Sequence, residues 1–233
     1  MKKIISVSEK DFPAYHKHHE DKLNEAIIKT QEDERYEIGS ELHDNVCQIL
    51  AASQLTLSML KDSFPASKLK LFYQLKHYLE ISLEEIRNLS HRLAPAFYNN
   101  STLASAFNKL FELLNIEDKY IISVHFDQAF LEKNFSMELQ LNLYRILQEQ
   151  LKNIIKYAQA TQIQVNMLLV EGELVMEISD NGKGFNTDKV SAGIGIANMK
   201  RRAELFLGKF NIVSSPGNGC TVAVTIPLSK EIE

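Results

Sequence analysis

Residues 174–185 read Leu174-Val175-Met176-Glu177-Ile178-Ser179-Asp180-Asn181-Gly182-Lys183-Gly184-Phe185, an apolar run that stops at a carboxylate and two glycines. The run predicts a strand from Leu174 to Ser179, and Asp-Asn-Gly predicts a turn directly after it. A carboxylate at a strand end can accept the exocyclic amino hydrogen of adenine, while glycines let backbone approach a base and its sugar. Taken alone, Asp-Asn-Gly is also a common turn.

Working outward, Ile121 to Phe126, Gln162 to Leu169, Phe210 to Ser214 and Thr221 to Pro227 also read as strands. Leu103 to Leu114 and Met137 to Ala158 read as helices, opening after Ser101 and Ser136 as N-caps. Gly193 to Leu207 reads as a further helix, ended by Gly208. Helices covering one face of a mostly antiparallel sheet are the implied architecture.

Before Pro95 the texture differs, because no strand-like run occurs between Asp11 and Leu93. Ile38, Leu42, Val46, Ile49, Ser53, Leu57 and Leu60 recur at helical steps, as do Phe72, Leu75, Leu79, Leu83, Ile86, Ser90 and Leu93. The turn signal Asp62 to Ser67 separates the two patterns, which predicts an antiparallel helical hairpin. Two helices alone enclose no core, so two hairpins from two chains are expected to form a four-helix bundle, a homodimer. Tyr15 to Glu37 is a charged helical lead-in. The expected division is 1–37 for the lead-in, 38–95 for the hairpin and 96–233 for the α/β domain.

Two further segments suit a nucleotide. In Arg145 to Ala158, Glu149 and Asn153 stand four apart and share a helix face. Such an oxygen-donor pair suits magnesium that keeps most of its waters and bridges phosphates, with Lys156 one turn away to offset charge. Gly193-Ile194-Gly195 opens a helix whose free N–H groups can face phosphates.

In order and spacing these segments resemble the ATP-binding domain of the GHKL superfamily, which includes histidine kinases, gyrase, Hsp90 and MutL. The resemblance implies a Bergerat-type α/β sandwich. Its N box is matched by Glu149, Asn153, Lys156 and Tyr157, and its glycine boxes by Asp180, Gly182 and Gly184, then Gly193 and Gly195. The closing Pro216 to Thr221 resembles the Gly-x-Gly-Ser/Thr-Thr box, with Cys220 where a hydroxyl residue is usual and Thr221 kept. Phe185 to Ala192 corresponds to the ATP lid, short here, and Asn99-Asn100-Ser101 stands where an acidic, glycine-containing linker is common.

The hairpin carries Glu41-Leu42-His43-Asp44-Asn45-Val46-Cys47-Gln48. This resembles the phosphoacceptor helix of two-component sensor kinases of the nitrate-sensor-like subfamily, with its His-Asp-x-x-x-Gln motif complete. By that resemblance His43 takes the γ-phosphate of ATP with Mg2+ as cofactor, Asp44 orients the ring and takes up its proton, and Gln48 positions water for dephosphorylation. The partner implied is a response regulator receiver domain, with a helix-turn-helix output by family resemblance. The stripe places His43 at the edge of the buried face. A dimeric adaptor that binds ATP without using it is the alternative, separated by autophosphorylation.

Composition fits this reading. The 26 basic and 30 acidic residues give a net charge of -4, no footprint for direct nucleic-acid binding. Cys47 and Cys220 have no metal-ligand spacing. Phe210 to Ser229 is long enough to span a bilayer but holds two prolines, two glycines and three serines, so no transmembrane segment and a cytoplasmic location are expected. The expected input is either another protein acting through the lead-in helix or further sequence, the chain then being the kinase core of something longer. His16, His18, His19 and Glu20 read as a solvated face, and His77, His91 and His125 as structural or surface residues.

Overall fold

The computed structural model describes residues 12–94, 102–114, 119–187 and 193–228, with two compact units, Met1–Ala94 and Pro95–Glu233. Ser101, Asn99, Asn100, part of the expected lid, and the side chains of His16, His18, His19 and Glu20 lie outside the described residues.

In the first unit α1 (Phe12–Glu41) runs through a π-helical turn, Leu42–Val46, into α2 (Cys47–Met59), so the lead-in and the His43 segment are one helix. The Cys47 amide donates to the Leu42 carbonyl, closing the wide turn. Phe64 and Pro65 are extended between two short 3-10 segments, as the residue before a proline prefers. The return helix α3 (Leu69–Leu93) completes the hairpin.

Cys47 and Leu57 are buried on the first arm of the hairpin, and Phe72 and Leu83 on the return helix. The Ser90 hydroxyl donates to the Gly39 carbonyl at 2.8 Å, and a Cβ on Gly39 would lie 2.7 Å from Ala94 Cβ. Glycine is what lets these backbones meet. The single buried stripe expected on the first helix divides in two: Leu57 is buried and Leu42 and Val46 half-buried, whereas Ile38, Ile49 and Leu60 are exposed. The cause is geometric, since two packed helices cover only the arc that each turns to the other. On α3, Leu75 is likewise exposed.

The second unit is a five-stranded sheet, β1 (Ile121–Phe126), β2 (Gln162–Val170), β3 (Glu173–Asp180), β4 (Lys209–Ser214) and β5 (Cys220–Pro227), in the order β1-β2-β3-β5-β4. β1 and β2 are parallel and the other pairs antiparallel. Strand alternation sends Val165, Met167, Leu174, Met176, Ile178, Val222 and Val224 to one face, where α4 (Leu103–Leu114), α6 (Met137–Asn153) and α7 (Ile194–Glu204) cover them. On α6, Leu139, Leu143, Ile146, Leu147 and Leu151 are buried at helical spacing.

Ser136 caps α6 as expected, its side chain accepting from the Leu139 amide. α4 is capped by Thr102, whose hydroxyl accepts from Ser105 N at 3.2 Å. A short helix, α5 (Gln128–Glu132), was not expected from the sequence. After α6 the chain enters a second π-turn, Ile154–Ala158, stopped by Gln159 in the left-handed region at φ 55°.

Candidate functional site

His43 and Asp44 lie inside the first π-turn, a distortion frequent at functional positions. Nδ1 of His43 is 2.9 Å from Oδ1 of Asp44, and Asp44 Oδ2 accepts from the Ser40 hydroxyl at 3.4 Å. The side chains of His43 and Asp44 are 58% and 65% exposed, so the imidazole is reachable by another molecule or domain. Gln48 is exposed on the same helix, beyond the π-turn.

In the second unit a cavity of about 580 Å³ lies between α6, the start of α7 and the ends of β3 and β5. Glu149, Asn153, Lys156, Tyr157, Asp180, Gly184, Gly193 and Gly195 all line it, residues that come from separate segments of the sequence. Lys156 stands over the Tyr157 ring at 5.1 Å, a cation–π contact. Glu149 pairs with Lys152 at 3.4 Å. Gly195 packs directly on Glu149, where a Cβ would collide with the carboxylate.

The motifs are knitted together through backbone. Lys183 N donates to the Ala158 carbonyl at 2.8 Å and Lys183 O accepts from Gly217 N at 2.7 Å, joining the end of the N-box helix, the first glycine turn and the closing turn. Gly182 is buried behind this clasp, where a Cβ would strike the Ala158 carbonyl. Asn181 accepts from Thr161 N and Gln162 N, both at 2.9 Å, and donates to the Thr161 hydroxyl at 3.0 Å. Its role as a clamp was not readable, because its partners sit about twenty residues away where β2 begins.

Asp180 is buried at the end of β3. Oδ1 accepts from Gly182 N at 2.8 Å, whereas Oδ2 is buried without a hydrogen-bond partner. Burial raises its pKa, and the nearby amides of Gly182 and Cys220 pull the other way. An orphaned acceptor of this kind is rare in a folded chain and marks a place for a donor from elsewhere. The amino group of adenine meets that requirement, and the cavity is of a size that holds a nucleotide.

One expected contact shifts by a residue. Cys220 lines the cavity, while Thr221 faces the opposite side of the sheet, because successive strand residues alternate. Gln150, Lys183 and Ile212 also line the cavity and were missed by motif spacing.

Residues 138–230 match the family of histidine kinase-, DNA gyrase B-, and HSP90-like ATPases, and residues 34–96 match a histidine kinase family. The chain is 33% identical over 213 residues to the oxygen sensor histidine kinase NreB of Staphylococcus carnosus, a match covering 89% of this chain and 60% of that relative. In fold it is similar to the histidine kinase domain of a blue-light activated histidine kinase from Erythrobacter litoralis, with TM-score 0.52 and 14% identity, over 79% of this chain and 96% of that one. The larger structure of the same kinase gives TM-score 0.50 and 17% identity, over 82% of this chain and 61% of that one. Residues 34–96 thus form a histidine kinase segment, and residues 138–230 form a domain of the histidine kinase-, DNA gyrase B-, and HSP90-like ATPases.

Proposed function

We propose that the chain is an ATP-dependent protein-histidine kinase that phosphorylates His43 and passes the phosphoryl group to an aspartate of a response regulator. The observation that carries this reading is the Nδ1 contact of His43 with Asp44. A neutral imidazole that donates its Nδ1 proton to the carboxylate has its lone pair on Nε2 and so has a nucleophile ready. A bond forms from Nε2 to the γ-phosphorus, the bond to the bridging oxygen of ADP breaks, and Asp44 takes up the Nδ1 proton. Asp180 holds the adenine, and Lys156, which lines the same cavity, offsets phosphate charge.

Glu149 and Asn153 offer hard oxygen donors one helical turn apart in that cavity, a set that suits Mg2+ alongside the phosphates. When bound, the ion neutralises charge on the transferring group, and positioning with electrostatics is most of what phosphoryl transfer requires. The exposed line Ile38, Ile49 and Leu60, with Leu75 on α3, supports a homodimer in which a second hairpin covers these side chains. Gln48 positions water for dephosphorylating the regulator, whose output is a helix-turn-helix domain. Among the described residues no helix is long and apolar enough to cross a membrane, and the chain spans about 60% of the length of the curated relative that it matches.

The test is incubation with γ-labelled ATP, then addition of receiver domains from the same genome. Label on the wild type, none on His43→Ala, and rapid transfer to one receiver are expected. Equal label on both proteins refutes the assignment.

A further inference from the structure

We propose that Arg202 is a positioning residue for the nucleotide phosphates, holding the opening of α7 against Glu149 through its bond to Asn142 on α6. The proposal rests on the ATP reading above and adds the group that fixes one wall of that site. Nη1 of Arg202 donates to Oδ1 of Asn142 at 2.9 Å. Nδ2 of Asn142 donates to the Glu138 carbonyl one turn back on its own helix, also at 2.9 Å, which turns the amide oxygen toward α7. Both side chains are buried, Asn142 4% and Arg202 6% exposed, so the bond is shielded from water. Neither residue lines the cavity, so Arg202 acts through the helix that carries it.

About two helical turns away along both helices lies another contact between them, Gly195 packed on the Glu149 side chain. From Asn142 to Glu149 the path runs forward along α6, and from Arg202 to Gly195 it runs backward along α7, so the helices pack antiparallel with a tie at each end. Between the ties each helix buries an apolar residue, Ile146 and Met199. Apolar packing is non-directional and tolerates sliding, whereas a slip of one turn breaks a buried bond that water does not replace. The tie therefore sets where α7 begins. Gly193, Ile194 and Gly195 at that beginning line the cavity, and the free N–H groups of a first helical turn attract an anion over a short range. A small shift of α7 thus acts on the phosphates, while Asp180, the residue given to the base, stands on β3.

The test measures AMP and ATP by displacement of a fluorescent ATP analogue from the full chain without magnesium. It reads the ratio of the two affinities, which a loss of folded protein leaves unchanged. In the wild type ATP is expected to bind more tightly than AMP. In Arg202→Met, which keeps length and loses the donors, ATP should bind roughly threefold to tenfold more weakly, within the range of a helix terminus acting on an anion, with AMP nearly unchanged. Arg202→Lys, which can still donate to Asn142, should keep most of the wild-type ratio. The double variant Asn142→Leu, Arg202→Met places two apolar groups where the bond stood, so it folds even where the single one does not, and it should show the same reduced ratio. An unchanged ratio in these variants overturns the proposal, as does equal weakening of AMP and ATP, the mark of a merely structural role. Equal affinities for AMP and ATP in the wild type overturn it without any variant. Failure of the wild type to bind ATP at all overturns the ATP reading together with this one.

Discussion

Nδ1 of His43 stands 2.9 Å from Oδ1 of its immediate neighbour Asp44. Adjacent residues on a regular helix project about 100° apart, and the π-turn gives the local backbone in which this pair meets. Asp44→Asn keeps the shape and removes the proton acceptor. Its autophosphorylation rate should fall about a hundredfold, the range for a positioned general base, with nucleotide affinity unchanged. Initial rates of label incorporation and nucleotide titration check the two parts separately.

His43 and Gln48 lie on the same helix, and the proposed function gives them different steps. His43→Ala should abolish label from ATP. Gln48→Ala should incorporate label at the wild-type rate and lose most dephosphorylation of the regulator, read by release of phosphate from the phosphorylated receiver. Loss of both activities in Gln48→Ala would count against the division.

Gly39→Ala sets two effects against each other. Replacing glycine by alanine inside a helix normally gains about 1 kcal/mol. Here the new Cβ would lie 2.7 Å from Ala94 Cβ and 2.8 Å from Ala94 N, so the return backbone must move. Overpacking of this sort costs about 1–3 kcal/mol and should win. Ser90→Ala, which removes the buried bond to the Gly39 carbonyl, should cost about 1 kcal/mol. Thermal melting of both variants against the wild type measures the order.

The raised pKa of Cys220 gives a chemical prediction. Its thiol is moved from an ordinary 9.0 to about 11, which at pH 8 lowers the thiolate fraction roughly a hundredfold. Alkylation by iodoacetamide, followed on the Cys220 peptide by mass spectrometry, should be at least that much slower than for the unfolded chain. ATP should slow it further. For stability the sign follows from the raised value: the folded protein holds the proton more tightly, so stability falls as pH rises from about 9 toward 11.

Five strands and the hairpin were legible because their signals are local and periodic. Ile121 to Phe126 is the same in sequence and structure, and Leu174 to Ser179 sits inside β3. The two π-turns were not legible, since a one-residue widening leaves the apolar spacing of Leu42 and Val46, or of Ile154 and Ala158, almost unchanged. α5 was missed because Gln128–Glu132 is too short to show a helical period. In the cavity, motif spacing pointed to Asp180 and Glu149, which face it, but gave Thr221 the place that strand alternation assigns to Cys220. The clamp by Asn181 closes the open end of the β2–β3 hairpin, twenty residues away in sequence, and no local pattern encodes it.

Asp180→Asn should move stability and binding in opposite directions. Burial raises the folded-state pKa of Asp180, so the stability that its protonated form contributes is present below the unfolded value of 3.8 and lost as pH rises through the folded value. At neutral pH the buried carboxylate is therefore a burden on the ligand-free protein, and the neutral amide removes it while keeping an oxygen for Gly182 N. The melting temperature of the ligand-free variant should rise. Its ATP affinity should fall about tenfold to a hundredfold, because a charge-assisted acceptor for the adenine amino group is lost. In the wild type, affinity should decline on acidification as the carboxylate is protonated, starting above the ordinary carboxylate range, and that decline should be absent in Asp180→Asn. Melting curves and nucleotide titrations at a series of pH values read all three outcomes, and a variant that melts lower while binding ATP normally would remove Asp180 from the base-binding role.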